Sequence, residues 1–255
     1  MKKQQELIEK HFNDLGAKVS YQKFTGKQRG KKPVELANLV VSYNPEKARR
    51  VILCSHYDTR PIADQENNPR RWREPFVSAN DGGSGVALLM ELGRHMKDLS
   101  FSVGVDFVFF DGEEYIHDPR EDEEFYFLGS RYFARQAALN RKAVQYTGAI
   151  LLDMIAGKGA EFPMEQNSVF HAGKLVKEVW DIAAELKCDA FTRGMSKVAV
   201  NDDHIALNEN GIPAIDIIDF DYPHWHKLTD IPKNCGPKSM TQVAKVCSVW
   251  IQRQK

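Results

Sequence analysis

Four short stretches of the chain are almost wholly apolar, and each gives way abruptly to acids or a histidine. Arg50–Ser55 (RVILCS) runs into His56-Tyr57-Asp58, and Val103–Phe110 (VGVDFVFF) runs into Asp111-Gly112-Glu113-Glu114. Gly148–Met154 carries Asp153 at its end, and Ile212–Ile218 leads to a segment closing at His226. Strands with no apolar/polar alternation are buried on both faces, the pattern of parallel sheets covered by helices on either side. Helical patterns separate them: one beginning near Gly83 with Val86, Leu89, Met90, Leu92 and Gly93 on its packing side, one from Ser130, one over Gly173–Leu186, a short one after Asp202, and a last one over Ser239–Ile251. Strand–helix alternation of this kind predicts a three-layer α/β/α fold, doubly wound, around a mixed, mostly parallel sheet.

The part before this alternation reads differently. Leu7, Ile8, Phe12 and Leu15 fall near one helical face with Gly16 as a stop, which predicts an amphipathic opening helix. Lys18–Phe24 alternates as a strand, and Gly26–Lys32 (GKQRGKK) reads as a solvated basic turn. Leu36–Tyr43 and Arg50–Ser55 are joined by Asn44-Pro45-Glu46-Lys47, whose composition suits a hairpin. A long polar loop follows over Arg60–Val77. No repeat or low-complexity linker divides the chain, so residues 1–255 are expected to form one domain, which at this length buries a sizeable core.

In open α/β sheets, ligands gather beyond the carboxyl ends of the strands. That edge is where His56, Glu113, Glu114, Asp153 and the His226 segment fall, and Asp81 stands just before a helix in Ala79-Asn80-Asp81-Gly82-Gly83-Ser84-Gly85. Each has an ordinary structural reading: Asp81 as a helix cap, His56 as a hydrogen-bonded strand end, Asp153 as the partner of a base. Glu113 and Glu114 are harder to dismiss, because adjacent buried acids repel unless a cation or proton lies between them. Imidazole and carboxylate donors converging on one edge form the donor set of a zinc site. His224 and His226 stand two apart, so in a strand both would face the same way.

Other classes lack their signals. The 35 Lys and Arg against 35 Asp and Glu leave no surplus of positive charge for nucleic acid. No apolar run approaches the roughly 20 residues that cross a bilayer. The four cysteines are isolated, with no CxxC pair. No serine-nucleophile elbow, dinucleotide fingerprint or phosphate-binding loop is present. The opening MKKQQELIEKHFNDLG lacks the apolar core of a signal peptide, which leaves a cytoplasmic protein and an exported one with its leader removed both open. Nothing specifies an oligomer, and a monomer is expected.

The ordered set Ser55-His56-Tyr57-Asp58, Asn80-Asp81-Gly82-Gly83-Ser84-Gly85, Phe110-Asp111-Gly112-Glu113-Glu114, Leu128-Gly129-Ser130-Arg131, Leu152-Asp153-Met154 and Asp203-His204 resembles the zinc aminopeptidases of the M28 peptidases, from about residue 35 onward. The resemblance implies a doubly wound α/β domain. In the two-zinc aminopeptidases the positions of His56, Asp81, Glu114, Asp153 and His226 hold metal, with Asp81 bridging and Glu113 as general base.

Further features are similar to a branch of the same clan, the glutaminyl cyclases. Asp202 stands where aminopeptidases usually have a small hydroxyl residue, the stretch between Glu114 and Leu128 is long, and Trp225 directly precedes His226. The resemblance departs from the animal cyclases after the glutamate pair, where a tryptophan is replaced by the region of His117 and Pro119, and at Asp216, where they carry histidine. On the cyclase reading one zinc is held by Asp81, Glu114 and His226; Glu113, Asp153 and Asp202 handle protons; and Trp225, Tyr126 and Asp216 contact the glutamine. The expected substrate is then the N-terminus of a peptide or protein, its glutamine converted to pyroglutamate with release of ammonia. The alternatives are a metallo-aminopeptidase with a second zinc on His56 and Asp153, and a catalytically silent binding relative.

Overall fold

In a computed structural model, which describes residues 2–118 and 125–254, the apolar runs are the central strands of one sheet. The elements follow in chain order as α1 (Lys2–Asp14), β1 (Val19–Gly26), β2 (Val34–Tyr43), β3 (Arg49–His56), α2 (Gly83–His95), β4 (Gly104–Phe110), α3 (Leu128–Leu139), β5 (Gln145–Asp153), β6 (Phe162–Met164), α4 (Gln166–Glu185), β7 (Phe191–Met195), α5 (Asp203–Glu209), β8 (Ala214–Ile218) and α6 (Pro237–Arg253). The main sheet has the order β1-β2-β4-β3-β5-β8. The β4–β3, β3–β5 and β5–β8 pairs are parallel, whereas β1–β2 and β2–β4 are antiparallel. The expected α/β architecture is the one found.

Why the strands are apolar throughout is visible in where their alternate residues go. Val51, Leu53, Phe107, Phe109, Ile150 and Leu152 point to one face, against Leu89, Val179 and Trp250 of α2, α4 and α6. Ile52, Cys54, Val108, Phe110 and Leu151 point to the other, against Phe133 of α3 and Leu207 of α5. Strand residues separated by one position face opposite ways, so a strand sandwiched between two helical layers has no polar side to show. Phe12 of α1 reaches the first layer as well, with its ring 5.7 Å from that of Phe109.

One expectation fails. The 36–43 and 50–55 strands do not form a hairpin, because β4 lies between β2 and β3. Arg50, 3% exposed, supplies the reason. Its guanidinium donates to both carboxylate oxygens of Asp106 on β4, at 2.8 and 2.5 Å, and to the carbonyls of Asn44 and Lys47 at 2.9 and 3.3 Å. The 44–47 connection is thus folded over a buried charge pair and carries the chain across β4 instead of turning it back on itself. A second difference concerns α4, which begins at Gln166 rather than near Gly173. Glu165 caps it by accepting from the Asn167 and Ser168 N–H groups, and a non-helical Ala172 interrupts it one residue before the expected start.

The connections from β3 diverge: β3–α2–β4 goes to one side, and β4–α3–β5 returns to the other. The crevice between the carboxyl ends of β3 and β5 is therefore the switch point at which such sheets bind ligands. Helix α2 starts there and must approach closely. A Cβ placed on Gly85 would lie 2.2 Å from the Leu152 carbonyl oxygen and 2.3 Å from Ser55 Oγ. Gly85→Ala is expected to cost about 1–3 kcal/mol or more, as overpacking against backbone does. Urea unfolding checks it, and an unchanged midpoint would show that α2 has room to retreat.

Candidate active site and metal centre

Five chain segments deliver the charged groups to the switch point. His56 ends β3, Asp153 ends β5, Glu113 and Glu114 follow β4, and His226 comes from the turns after β8. Asp81 comes from the loop before α2. It does not cap that helix: the cap position is Gly82, with no side-chain hydrogen bond, and Asp81 turns inward to His56 (3.2 Å) and His226 (3.5 Å). Gly82 has φ +69°, and a Cβ there would lie 2.7 Å from His56 Cε1, so the turn that aims Asp81 needs glycine.

Two buried carboxylates hold these loops from behind. Asp58 accepts the backbone N–H groups of both Glu113 (3.1 Å) and Glu114 (3.0 Å). Asp230 accepts those of Asn80 (2.9 Å) and Asp81 (3.1 Å), and the Tyr222 hydroxyl at 2.9 Å. Asp230 carries no sequence signal of its own, since a lone acid near a Pro-rich turn looks like any surface residue. Gln28 was hidden in the same way. In the loop expected to be a solvated turn it is buried, donates to the Tyr115 and Phe125 carbonyls (2.8 and 2.7 Å), and accepts the Phe125 N–H at 2.7 Å. It thus holds both flanks of the long stretch after Glu114, of which residues 119–124 lie outside the described residues.

Asp81, Glu114 and His226 offer ligand atoms that all lie within 4.8 Å of one another, and His56, Asp81 and Asp153 do the same. Asp81 is common to both groups. His226 Nε2 lies 2.6 Å from Glu114 Oε1, while Asp81 Oδ2 and Glu114 Oε2 are buried without a hydrogen-bond partner. Buried carboxylate oxygens left unpaired are costly, so a cation drawn to them relieves a real debt of solvation. The one-imidazole, two-carboxylate donor set suits zinc with a fourth position open to substrate or water. The residues fit the metal.

Without that cation the charges distort one another. Burial pushes Asp81 up to about 7, with Glu114 adding to the rise. Burial opposes the ionised Glu114 too, but His226, His56 and Arg60 outweigh it and bring the group down to about 2. His226 rises to about 9 against its own burial, because Glu114 and Asp64 face it. Glu113 is raised well above the ordinary carboxylate range by burial first and Glu114 second. Asp202 is raised likewise, by burial and then by Asp153 and Asp203.

These groups surround a cavity of about 450 Å³. Glu113, Asp153 and Asp202 line it together with the Asp81–Glu114–His226 triad, and Phe127, Val200, Ile218, Phe220 and Trp225 form its apolar wall. Trp225 lies against the His226 ring, centroids 4.1 Å apart, and Tyr126 stands at the rim with its hydroxyl 3.1 Å from Arg60 Nη2. Asp216 is the exception among the expected substrate contacts. It is fully buried on β8 and does not line the cavity; its backbone N–H donates to Ser168 Oγ, and its carboxylate lies behind those of Asp202 and Asp153. A strand residue facing the helical layer cannot also face the pocket mouth. His224 is likewise not brought to the site. Tyr222–His226 is a series of turns rather than a strand, and His224 Nδ1 contacts Thr229 Oγ1 at 2.8 Å.

A mixed, mostly parallel α/β sheet whose acid-rich switch point carries three overlapping groups of residues able to hold a metal, the third being His56, Glu113 and Glu114, is the form of an α/β catalytic domain with a candidate metal centre. The chain belongs to Peptidase family M28, whose family model matches residues 38–251. Its fold is very similar to that of the glutaminyl cyclase of Fimbriiglobus ruber, with a TM-score of 0.96 and 48% identity over 99% of this chain and 87% of that one. A leucine aminopeptidase precursor from Bacteroides thetaiotaomicron is also similar, with a TM-score of 0.91 and 28% identity over 98% of this chain and 88% of that one. Among curated proteins, the glutaminyl-peptide cyclotransferase of Gloydius blomhoffii is 25% identical over 244 residues, 84% of this chain. The match spans 64% of that relative's length.

Proposed function

We propose that this chain is a zinc-dependent glutaminyl-peptide cyclotransferase, closing the N-terminal glutamine of a peptide or protein to pyroglutamate and releasing ammonia. The observation that carries the reading is Asp202. It is buried on the cavity wall at the start of α5, where it joins Glu113 and Asp153 as a third non-ligand acid around the Asp81–Glu114–His226 triad. The likeness to glutaminyl cyclases supports the same reading.

Asp81, Glu114 and His226 would hold the zinc, which when bound would supply Lewis-acid polarisation of the glutamine γ-carbonyl. The remaining chemistry belongs to side chains of this chain. Glu113 accepts a proton from the substrate α-amine as its nitrogen attacks the carbonyl carbon of the γ-carboxamide (Cδ), and returns that proton to the departing amide nitrogen, which leaves as ammonia. One C–N bond forms and one breaks, with no water consumed. Asp202, raised well above the ordinary carboxylate range by burial and then by the charges of Asp153 and Asp203, is driven toward its neutral form and can hold or pass a proton on the cavity wall beside Asp153. The apolar wall of Phe220, Ile218 and Trp225 excludes water from the glutamine stem and so favours ring closure over hydrolysis.

A second reading has its own observation. His56, Asp81 and Asp153 form a metal-capable triad beside the first, as a two-zinc aminopeptidase requires. Zinc analysis and a paired assay separate the two. One tightly held zinc per chain, ammonia released from a glutaminyl peptide and no release of leucine from a leucyl amide are expected. Two tight zincs with leucyl-amide hydrolysis and no cyclisation would establish the aminopeptidase instead.

A further inference from the structure

The long polar loop after β3 contains a charge pair that the reaction does not use directly. Arg60 and Asp64 are four residues apart and both nearly buried, with side chains 2% and 5% exposed. Arg60 donates to Asp64 through Nε (2.8 Å) and Nη2 (3.0 Å), a two-point grip. Asp64 Oδ1 in turn lies 3.2 Å from His226 Nδ1, close enough to pair with that buried nitrogen although the two are not aligned as a hydrogen bond in this structure, on the side of the ring opposite the nitrogen that meets Glu114. Arg60 Nη1 lies 3.5 Å from Glu114 Oε1, and Nη2 also reaches the Tyr126 hydroxyl.

A buried ion pair of this kind costs solvation and is a weak source of stability by itself. Its placement says what it does. An imidazole coordinates through one nitrogen only when the other carries the proton, and a carboxylate behind the ring fixes that choice and the ring's orientation. His226 needs such a fix, because it sits on a turn with φ +52° rather than on a helix or strand. Asp64 is the carboxylate that faces Nδ1. Asp64 is held in turn by Arg60, whose two-point geometry a lysine cannot reproduce.

We propose that Asp64, clamped by Arg60, is the positioning residue for His226, holding the proton on Nδ1 so that Nε2 faces the metal. Arg60 adds a cation beside Glu114 and ties the ligand group to Tyr126 at the pocket rim. This rests on the reading that Asp81, Glu114 and His226 hold zinc, and the test keeps the two apart. Zinc affinity is measured by chelator competition on the full chain, with no substrate present. Asp64→Asn is expected to weaken zinc about 10- to 100-fold, the usual effect of losing an outer carboxylate, and Arg60→Lys to weaken it less. Wild-type affinity in a folded Asp64→Asn chain would overturn the proposal. A wild-type chain without tight zinc would overturn the metal reading that underlies it. Nitrogen-15 NMR of the histidines in zinc-loaded wild-type protein gives an answer even if the variants fail to fold. Coordination through Nε2 with a hydrogen-bonded proton on Nδ1 is expected for His226, and coordination through Nδ1 would rule the arrangement out.

Discussion

Glu113→Gln is expected to lower turnover of a glutaminyl peptide by about 10³-fold or more while leaving zinc bound. General acid–base groups contribute on the order of 10²–10⁴ in rate, and here one group is asked to take a proton and give it back. Glutamine keeps the size of the side chain and its place on the cavity wall but can accept no proton. The neighbouring Glu114 cannot stand in. It faces His226 at 2.6 Å and is held at about 2, whereas burial and the charge of Glu114 raise Glu113 well above the ordinary carboxylate range. The backbone of both glutamates is held by Asp58, not by their own carboxylates, so the substitution leaves the loop in place. Steady-state kinetics and metal analysis of the same preparation check both halves. Retained turnover would remove Glu113 from the chemistry. Lost zinc would mean that the two acids have exchanged roles.

Removing the metal should make the protein's stability fall as pH rises, by a few kcal/mol between about pH 4 and 9. Asp81 and Asp203 are each raised by burial to about 7, so across this window the folded chain binds protons that the unfolded chain has already lost. Their penalty is absent below about pH 4 and complete above about 7. His226, raised to about 9, works in the same direction: its stabilising contribution is present below its ordinary value near 6.5 and is lost as pH climbs through 9. Glu114 and Glu165, both lowered to about 2, add stability that is already complete above about pH 4.5 and so do not counter the slope. A divalent cation replaces the missing protons, so stabilisation by zinc should grow with pH. Thermal unfolding at pH 5 and pH 8.5, with and without chelator, measures both curves. A chelated protein more stable at the higher pH would contradict the charge arrangement described.

Much of the site could be read from the chain because its residues sit at strand ends. Where an apolar run stops at His56, Asp153 or the Glu113–Glu114 pair, burial of the run forces the polar group to the sheet's edge. Asp81 was recognisable from its glycine-rich setting, although whether it capped the helix or faced the pocket was open until the turn at Gly82 was seen. Arg60, Asp64, Asp230 and Gln28 were not recognisable. Each lies in an irregular loop, where no periodicity separates a buried polar group from a solvated one, and the hidden role of each involves a partner far along the chain: Asp230 with Asn80, Gln28 with Phe125, Asp64 with His226, and Arg60 with Tyr126 as well as with nearby Asp64. The hairpin expected at 44–47 failed for the same reason, since local composition carries no information about Asp106, the partner of Arg50, 56 residues away.

The alternation of the main-sheet strands with helices (though not the small β6–β7 pair), the two-faced burial of the sheet and the identity of the acids at its edge follow from the sequence alone, because each depends on residues close together in the chain. The tertiary structure decided which of those acids face a common cation, which line the pocket and which, like Asp216, lie behind it. Those outcomes depend on how loops from opposite ends of the chain meet at the switch point, where interactions between distant charges outweigh any local preference.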